Sequence, residues 1–297
     1  MSDFSPEVRN AALWGSDSGQ IATGKANEVI LVKQGKHTPE DPSAIERVQI
    51  GKKIQGFLGQ LASERLQANL IEVEDAYTHP KHTWLRTHID FVAEDKGYLV
   101  ETKNLDVSQR KHYDAEAGLV HPRYYHQCLH EAIVYGVETV YLAALFGGNE
   151  FVTIRLDFTE SQKDEWIQRL AEVWGHIQVG TTMPPETVEQ CKVLFPTSSD
   201  VIRTASASVE QACLALGQIK AQIKALEAQE DQLQTLVQGY LADAGTLATI
   251  SGEVLATWKS AKPSQRFDAK LFEQSMPDVY KSFVREMAGS RRFLLKV

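Results

Sequence analysis

Residues 87–103, THIDFVAEDKGYLVETK, decide how the rest of the chain is read. Ile89, Phe91 and Ala93 alternate with other residues, Asp95-Lys96-Gly97 has the composition of a tight turn, and Tyr98, Leu99 and Val100 open a second apolar run. The pattern predicts two strands joined as a hairpin. Asp90 lies on the first strand. Glu101 and Lys103 lie on the second, two residues apart, so strand alternation projects them from one face. Two carboxylates beside a lysine at a sheet edge offer hard oxygen donors to Mg²⁺. They also offer a lysine that can orient or deprotonate a water. Charged residues on hairpins are common, so the weight of this reading depends on its surroundings.

Downstream, residues 104–121 are polar and irregular, with Arg110, Lys111 and His112 exposed. Pro122 opens a helix, as proline in a first turn does, and Gly136 ends it after Tyr135. Residues 137–146 and 151–158 read as two strands turned by Gly147-Gly148-Asn149, and Thr159 caps a helix to about Val179 that carries Trp166, Leu170, Val173 and Trp174. Upstream, residues 69–77 read as a strand and residues 43–68 as a helix opened by Ser43 with Glu46 three positions on, the capping-box spacing. Gly51, Gly56 and Gly59 lie in that helix. Glycine weakens a helix, so their presence points to close packing against a neighbour or ligand. Residues 25–34 form another helix and residues 3–14 a first one, with Phe4, Val8, Ala11 and Ala12 on one side. Between them Gly15-Ser16-Asp17-Ser18-Gly19 reads as a small polar loop. Its bare N–H groups and hydroxyls suit phosphate oxygens, although the local sequence favours one helix cap followed by another. The order of elements predicts an α/β body with a mixed central sheet flanked by helices.

A chain of 297 residues with 43% hydrophobic content can build one large domain plus an appendage. No apolar run approaches a membrane span, and the N-terminus lacks a basic-then-apolar leader, so a cytoplasmic location and no membrane partner are expected. Cys128, Cys191 and Cys213 are too far apart for a metal-ligand motif and suit a reducing compartment. His126 and His130 have helix spacing, but no third ligand follows at zinc-site spacing. The net charge of −8 argues against a generally adhesive nucleic-acid binder. Any DNA contact must then run through a local basic channel or through metal ions. Residues 1–199 hold 19 Lys+Arg against 28 Asp+Glu and residues 200–297 hold 12 against 11, so the acidity belongs to the body.

The expected organisation is a body over residues 1–180, a linker with Pro184-Pro185 and Pro196 over residues 181–205, and an appendage over residues 206–297. In the appendage, Val209, Ala212, Leu216, Ile219, Ile223, Leu226, Glu230, Leu233, Val237 and Tyr240 recur at alternating intervals of 3 and 4. That is a long helix with coiled-coil spacing, interrupted only by Glu230, which either pairs with a partner chain or folds back on the body. A strand-like run near Val254, two short helices and a basic SRRFLLK end complete the chain.

Taken in order, Arg9 with Trp14-Gly15-Ser16-Asp17, the helix containing Gly51, Asp90, Glu101-Thr102-Lys103, Pro122-Arg123-Tyr124-Tyr125-His126-Gln127, the hairpin at Leu145 to Gly148, the long helix and Ala256-Thr-Trp-Lys259 resemble the phage lambda exonuclease / YqaJ-type viral recombinase family of the PD-(D/E)XK nuclease superfamily. The resemblance implies a restriction-endonuclease-like core and a metal-dependent deoxyribonuclease. Its implied activity is a 5′→3′ exonuclease on double-stranded DNA ends that leaves 3′ single-stranded tails for recombination by strand annealing. It further implies Mg²⁺, with Mn²⁺ as the other candidate ion, a single-strand annealing protein as partner, and a homo-oligomer, a trimeric ring. Carried over residue by residue, Asp90, Glu101 and the backbone carbonyl of Thr102 look like metal ligands, Lys103 like the catalytic lysine, and Gln127 like the glutamine beside the site. Arg9 and Ser16 look like the holders of the DNA 5′-phosphate, with Arg110 or Lys111 near a further phosphate contact. The chain departs from the family at Gln55, where a glutamate is usual, and at His88, where a small polar residue is common. Both are the further candidate metal contacts, and the departure leaves the number of metals open. Two other readings stand beside this one. One is an endonuclease of the same superfamily, which alone would cut a closed circle. The other is a DNA-binding or scaffold protein weakened in catalysis by Gln55.

Overall fold

A computed structural model describes residues 5–38, 44–93, 97–285 and 289–296. It divides into two compact units, Met1–Phe195 and Pro196–Val297.

The first unit is built on a five-stranded sheet of order β2-β5-β6-β7-β8, made by β2 (Ile71–Glu72), β5 (Phe91–Ala93), β6 (Tyr98–Leu105), β7 (Thr139–Phe146) and β8 (Glu150–Asp157). Pairing is antiparallel except between β6 and β7, so the sheet is mixed as expected. The β5–β6 hairpin aligns Phe91 with Val100 and Ala93 with Tyr98. Asp95 and Lys96 of its turn lie outside the described residues. A parallel pair needs a crossover, and α5 (Pro122–Tyr135) supplies it between β6 and β7. His121 accepts a hydrogen bond from the Arg123 N–H at its start, and Gly136, with φ of 87°, closes it.

The two faces of the sheet bury different sets. Helix α4 (Glu46–Leu66) covers the face carrying Phe91, Ala93, Tyr98, Val100 and Ala143. Of its three glycines only Gly59 is packed tightly: a Cβ there would overlap the Phe91 ring, whereas Gly51 and Gly56 meet nothing within 4 Å. Ser43, the expected cap, is outside the described residues, and Ile45 precedes the helix without a side-chain cap. The opposite face carries the larger core. There Leu99, Leu142, Ile154 and Leu156 meet Cys128, Leu129 and Ala132 of α5, with Leu170 and Val173 of α6 (Glu160–Val179) beyond. Thr159 caps α6 and accepts from the Gln162 N–H.

The N-terminal region departs from expectation. In place of one helix over residues 3–14 there is a five-residue helix, α1 (Pro6–Asn10), followed by a buried strand, β1 (Leu13–Trp14). The polar run at residues 15–19 is helical, as α2 (Gly15–Ala22). The Asp17 carboxylate accepts the Trp14 N–H at 2.9 Å, which starts α2 against its poor helix propensity. Gly19 lets it seat on α5, since a Cβ there would overlap the Arg123 backbone carbonyl. β1 pairs parallel with β4 (Leu85–Thr87), which pairs with β3 (Tyr77–Thr78) in a three-stranded sheet of order β1-β4-β3. The single strand expected over residues 69–77 is thus β2 and β3, in two different sheets. Helix α3 (Ala26–Lys33) packs against α6 and against α7 (Val188–Leu194), a helix inside the segment read as a linker.

The second unit holds α8 (Ala207–Leu241), 35 residues long and capped by Ser206, as the 3-and-4 spacing requires. A hairpin of β9 (Thr246–Ala248) and β10 (Val254–Thr257) follows, then α9 (Ala269–Ser275) and α10 (Pro277–Phe283). Among the described residues no helix is long and apolar enough to cross a membrane.

Candidate active site

The β5–β6 hairpin and α5 meet at a cluster of charged side chains. Asp90 immediately precedes β5. One of its oxygens accepts from both the Thr102 N–H at 2.8 Å and the Thr102 hydroxyl at 2.6 Å, so the two strands are tied across the hairpin. Glu101 is 3% exposed, and its Oε1 accepts from both the Lys103 ammonium and the Gln127 side-chain amide, the latter at 2.6 Å. The same amide donates to Glu131 at 3.0 Å, one turn further along α5. Lys103 lies over the Tyr124 ring, 5.5 Å from its centroid. The structure therefore brings Asp90, Glu101, Thr102, Lys103 and Gln127 together. Register explains why: Val100 points to the α4 face, so Glu101 and Lys103, one and three residues on, point to the α5 face.

Electrostatics tighten the cluster. Burial, and then the neighbouring Asp90 carboxylate, push the Glu101 carboxyl up to about 7. Glu131 is fully buried, and burial followed by the Glu101 charge raises its carboxyl well above the usual range. Its second oxygen has no hydrogen-bond partner. Burial pulls the Lys103 ammonium down, but Glu101 and Asp90 outweigh it and hold the lysine protonated more firmly than usual. Three carboxylates thus crowd around one ammonium in a buried corner, an arrangement short of positive charge. Among the described residues no group of three or more His, Cys, Asp or Glu side chains is arranged as a ready-made metal cage. The donor chemistry nevertheless fits Mg²⁺, which characteristically takes one or two carboxylates and completes its octahedron with water and substrate phosphate. Asp90, Glu101 and the Thr102 carbonyl are such hard oxygen donors.

A second cluster gathers on the Trp14 indole. Arg9 lies over it at 4.6 Å, Arg86 of β4 at 4.8 Å, and the His88 ring stacks on it at 5.1 Å. Arg9 donates to the Ser16 hydroxyl at 3.1 Å, so the structure joins these two expected partners. The Arg9 carbonyl accepts from Lys33 at 2.6 Å and from the Trp14 indole N–H at 3.1 Å. Lys33 in turn pairs with Asp17 at 2.6 Å, with both side chains under 10% exposed. The Arg86 Nε is buried without a partner. Gly15 joins the two clusters: a Cβ there would lie 3.4 Å from Gln127 and 3.5 Å from Glu131.

Other expected residues lie elsewhere. Gln55 donates to Glu72 on β2 at 3.2 Å, and Glu72 aligns with Phe91, on the α4 face of the sheet. His88 stacks on Trp14. Arg110 is engaged by Glu150 at 2.7 Å and by the Tyr113 carbonyl at 2.6 Å, and Lys111 is exposed on the same turn. Sequence reasoning missed Arg86 and Glu131. Glu131 carried one signal, its i, i+4 spacing from Gln127, which places both on one helix face. Arg86 carried none, because its place opposite Trp14 depends on the β1–β4 pairing.

Residues 6–138 match the model of the YqaJ-like viral recombinase domain, the family that the sequence resembles. The matched segment contains the Trp14 cluster, the hairpin and Gln127. An uncharacterized protein YqaJ of Bacillus subtilis (strain 168) is 24% identical over 281 residues, covering 91% of this chain and 85% of its own length. Among solved structures, the alkaline exonuclease LHK-Exo of Laribacter hongkongensis is 10% identical with a TM-score of 0.47, covering 59% of this chain and 91% of that one. A phage-related exonuclease of Haemophilus somnus 129PT is 8% identical with a TM-score of 0.46, covering 59% and 96%.

Proposed function

We propose that the chain is a Mg²⁺-dependent deoxyribonuclease that digests double-stranded DNA from its ends, 5′→3′, leaving 3′ single-stranded tails for recombination by annealing. The observation that carries this reading is the convergence of Asp90, Glu101, Lys103 and Gln127 at one hairpin edge. The match of residues 6–138 to the YqaJ-like viral recombinase domain supports it.

Mg²⁺ held by Asp90, Glu101 and the Thr102 carbonyl would neutralise charge at the scissile phosphate and make a bound water more acidic. Lys103, kept protonated by Glu101 and Asp90, orients the attacking water and stabilises charge gathering on the phosphoryl oxygens. Gln127 donates to the same Glu101 oxygen as Lys103, which holds that carboxylate in place before substrate arrives. Arg9 and Ser16 take the terminal 5′-phosphate, and Arg86, with its unpaired Nε on the same indole, joins them. Because Gly15 adjoins both clusters, the anchored end lies beside the cleavage edge, which suits removal of nucleotides from the end. The 3′-tailed product would pass to a single-strand annealing protein. A trimeric ring of this chain around the duplex would keep digestion processive.

The test uses linear duplexes bearing a 5′-phosphate or a 5′-hydroxyl and a covalently closed circle, each with and without Mg²⁺. The expected result is Mg²⁺-dependent loss of the linear duplexes, faster with the phosphate, and an intact circle. Cleavage of the circle would replace the reading with an endonuclease, and full activity in Asp90→Ala would remove the site assignment altogether.

A further inference from the structure

Helix α8 keeps its apolar seam in solvent. Leu216 is half-buried, and from Ile219 onward the apolar seam residues run from 37% exposed at Val237 to 80% at Tyr240. A seam of this kind on a 35-residue helix, about 50 Å long, is too large to be left without a partner. We propose that α8 binds α8 of a second copy of this chain, running antiparallel, as a two-stranded coiled coil.

The seam spacing is the first argument. Its alternation of 3 and 4 reads the same from either end, between Val209 and Tyr240. An antiparallel pair centred between Lys224 and Ala225 therefore sets every seam residue opposite another. Val209 of one copy faces Tyr240 of the other, Ile223 faces Leu226, and Ile219 faces Glu230. Glu230 is the second argument. A parallel, in-register pair would bury two Glu230 carboxylates against each other in an apolar layer, a like-charge contact with no compensation. The antiparallel register separates them and places each beside Ile219, one residue from Lys220.

Charge flanking the seam is the third argument. In the antiparallel register Lys220 of one copy faces Glu227 of the other, and symmetry repeats that ion pair on the far side of the centre. The parallel register instead offers Ala215 to Lys220 and Gln222 to Glu227. The area is sufficient as well. Ten seam side chains on each helix, nine of them apolar, at several tens of Å² each bring the pair to roughly the 1,000 Å² that a specific interface needs.

Cross-linking of the full chain tests orientation and partner together. Chains carrying L216C and chains carrying L233C, differently tagged, are mixed and oxidised in a C191S, C213S background. Leu216 and Leu233 face each other only in the antiparallel pair, whereas each position lies about 25 Å from its own copy across that pair. The expected product is the disulfide-linked heterodimer, with neither single variant linking to itself. Self-linked L216C would overturn the proposal in favour of a parallel pair, and absence of any link would overturn the pairing. In a second measurement, I223E lowers the sedimenting mass and leaves the thermal melt of the first unit unchanged. An unaltered mass would overturn the proposal. Neither readout involves DNA, so each stands apart from the nuclease assignment.

Discussion

Acidification from about pH 7 to about pH 4.5 should weaken the first unit through His130, by an amount that its burial sets. The imidazole is fully buried on α5. Its Nε2 lies 3.0 Å from the Arg86 carbonyl and its Nδ1 2.7 Å from the Ser18 hydroxyl. A carbonyl can only accept, so Nε2 carries the proton and Nδ1 accepts from Ser18. The Trp166 indole N–H already points at that hydroxyl from 3.4 Å, so a proton on Nδ1 would leave Ser18 receiving two donors. Burial accordingly holds the imidazole down at about 4, from an ordinary 6.5. The folded value lies below the unfolded one, so between the two the unfolded chain binds the extra proton and stability falls as pH falls. The slope reaches about 1.4 kcal/mol per pH unit, and the accumulated loss at about pH 4.5 is roughly 2.5 kcal/mol. The assay is urea unfolding followed by tryptophan fluorescence, which Trp14, Trp84, Trp166 and Trp174 of the first unit dominate. Comparison with His130→Gln, which cannot take up that proton, removes the contribution of the carboxylates. The two stabilities should converge as pH falls. A constant difference across the range would refute the buried, neutral histidine.

Three further outcomes follow from the same geometry. Lys103→Ala should lower DNA hydrolysis by roughly 10²–10⁴-fold while binding of duplex ends persists, measured by single-turnover digestion and by electrophoretic mobility shift; hydrolysis close to the wild-type rate would show that the ammonium is structural. Arg9→Ala and Arg86→Ala should each reduce the preference for 5′-phosphorylated over 5′-hydroxyl ends, read as the ratio of kcat/KM values, and a ratio unchanged in Arg86→Ala would place that guanidinium outside the end pocket. Gly59→Ala should destabilise the first unit by about 1–3 kcal/mol because its methyl overlaps the Phe91 ring, whereas Gly56→Ala, with nothing within 4 Å, should stabilise or leave it unchanged in the same unfolding assay.

The elements that could be read from the sequence are those whose signals are local. Alternation on both sides of Gly97 is enough for the β5–β6 hairpin, Pro122 and Gly136 bracket α5, Thr159 marks the start of α6, and the long 3-and-4 repeat fixes α8. The N-terminal region fails for the opposite reason. Gly15, Ser16, Asp17 and Ser18 are weak helix formers, and α2 exists because Asp17 caps Trp14 and Gly19 seats on Arg123, contacts made by the fold. Leu13 and Trp14 look like the end of a helix until β4 arrives to pair with them. The site divides in the same way. Asp90, Glu101 and Lys103 sit close in sequence and their common face follows from the strand period. Glu131 acquires its significance from burial beside Glu101, and Arg86 from a strand pairing between residues far apart in the chain.

Strand β6, which carries Glu101 and Lys103, is an interior strand, bonded to β5 on one side and along its whole length to β7 on the other. Helix α1, which carries Arg9, has five residues, and Lys33 and Trp14 tie it down through the Arg9 carbonyl. The strand that carries Glu101 and Lys103 and the short helix that carries Arg9 therefore open at very different free energies. Slow amide exchange on β6 beside fast exchange on α1 would be its signature. Under the roles proposed above, a corner that can loosen next to a strand that cannot would let each shortened end be let go and taken up again while Glu101 and Lys103 stay where they were.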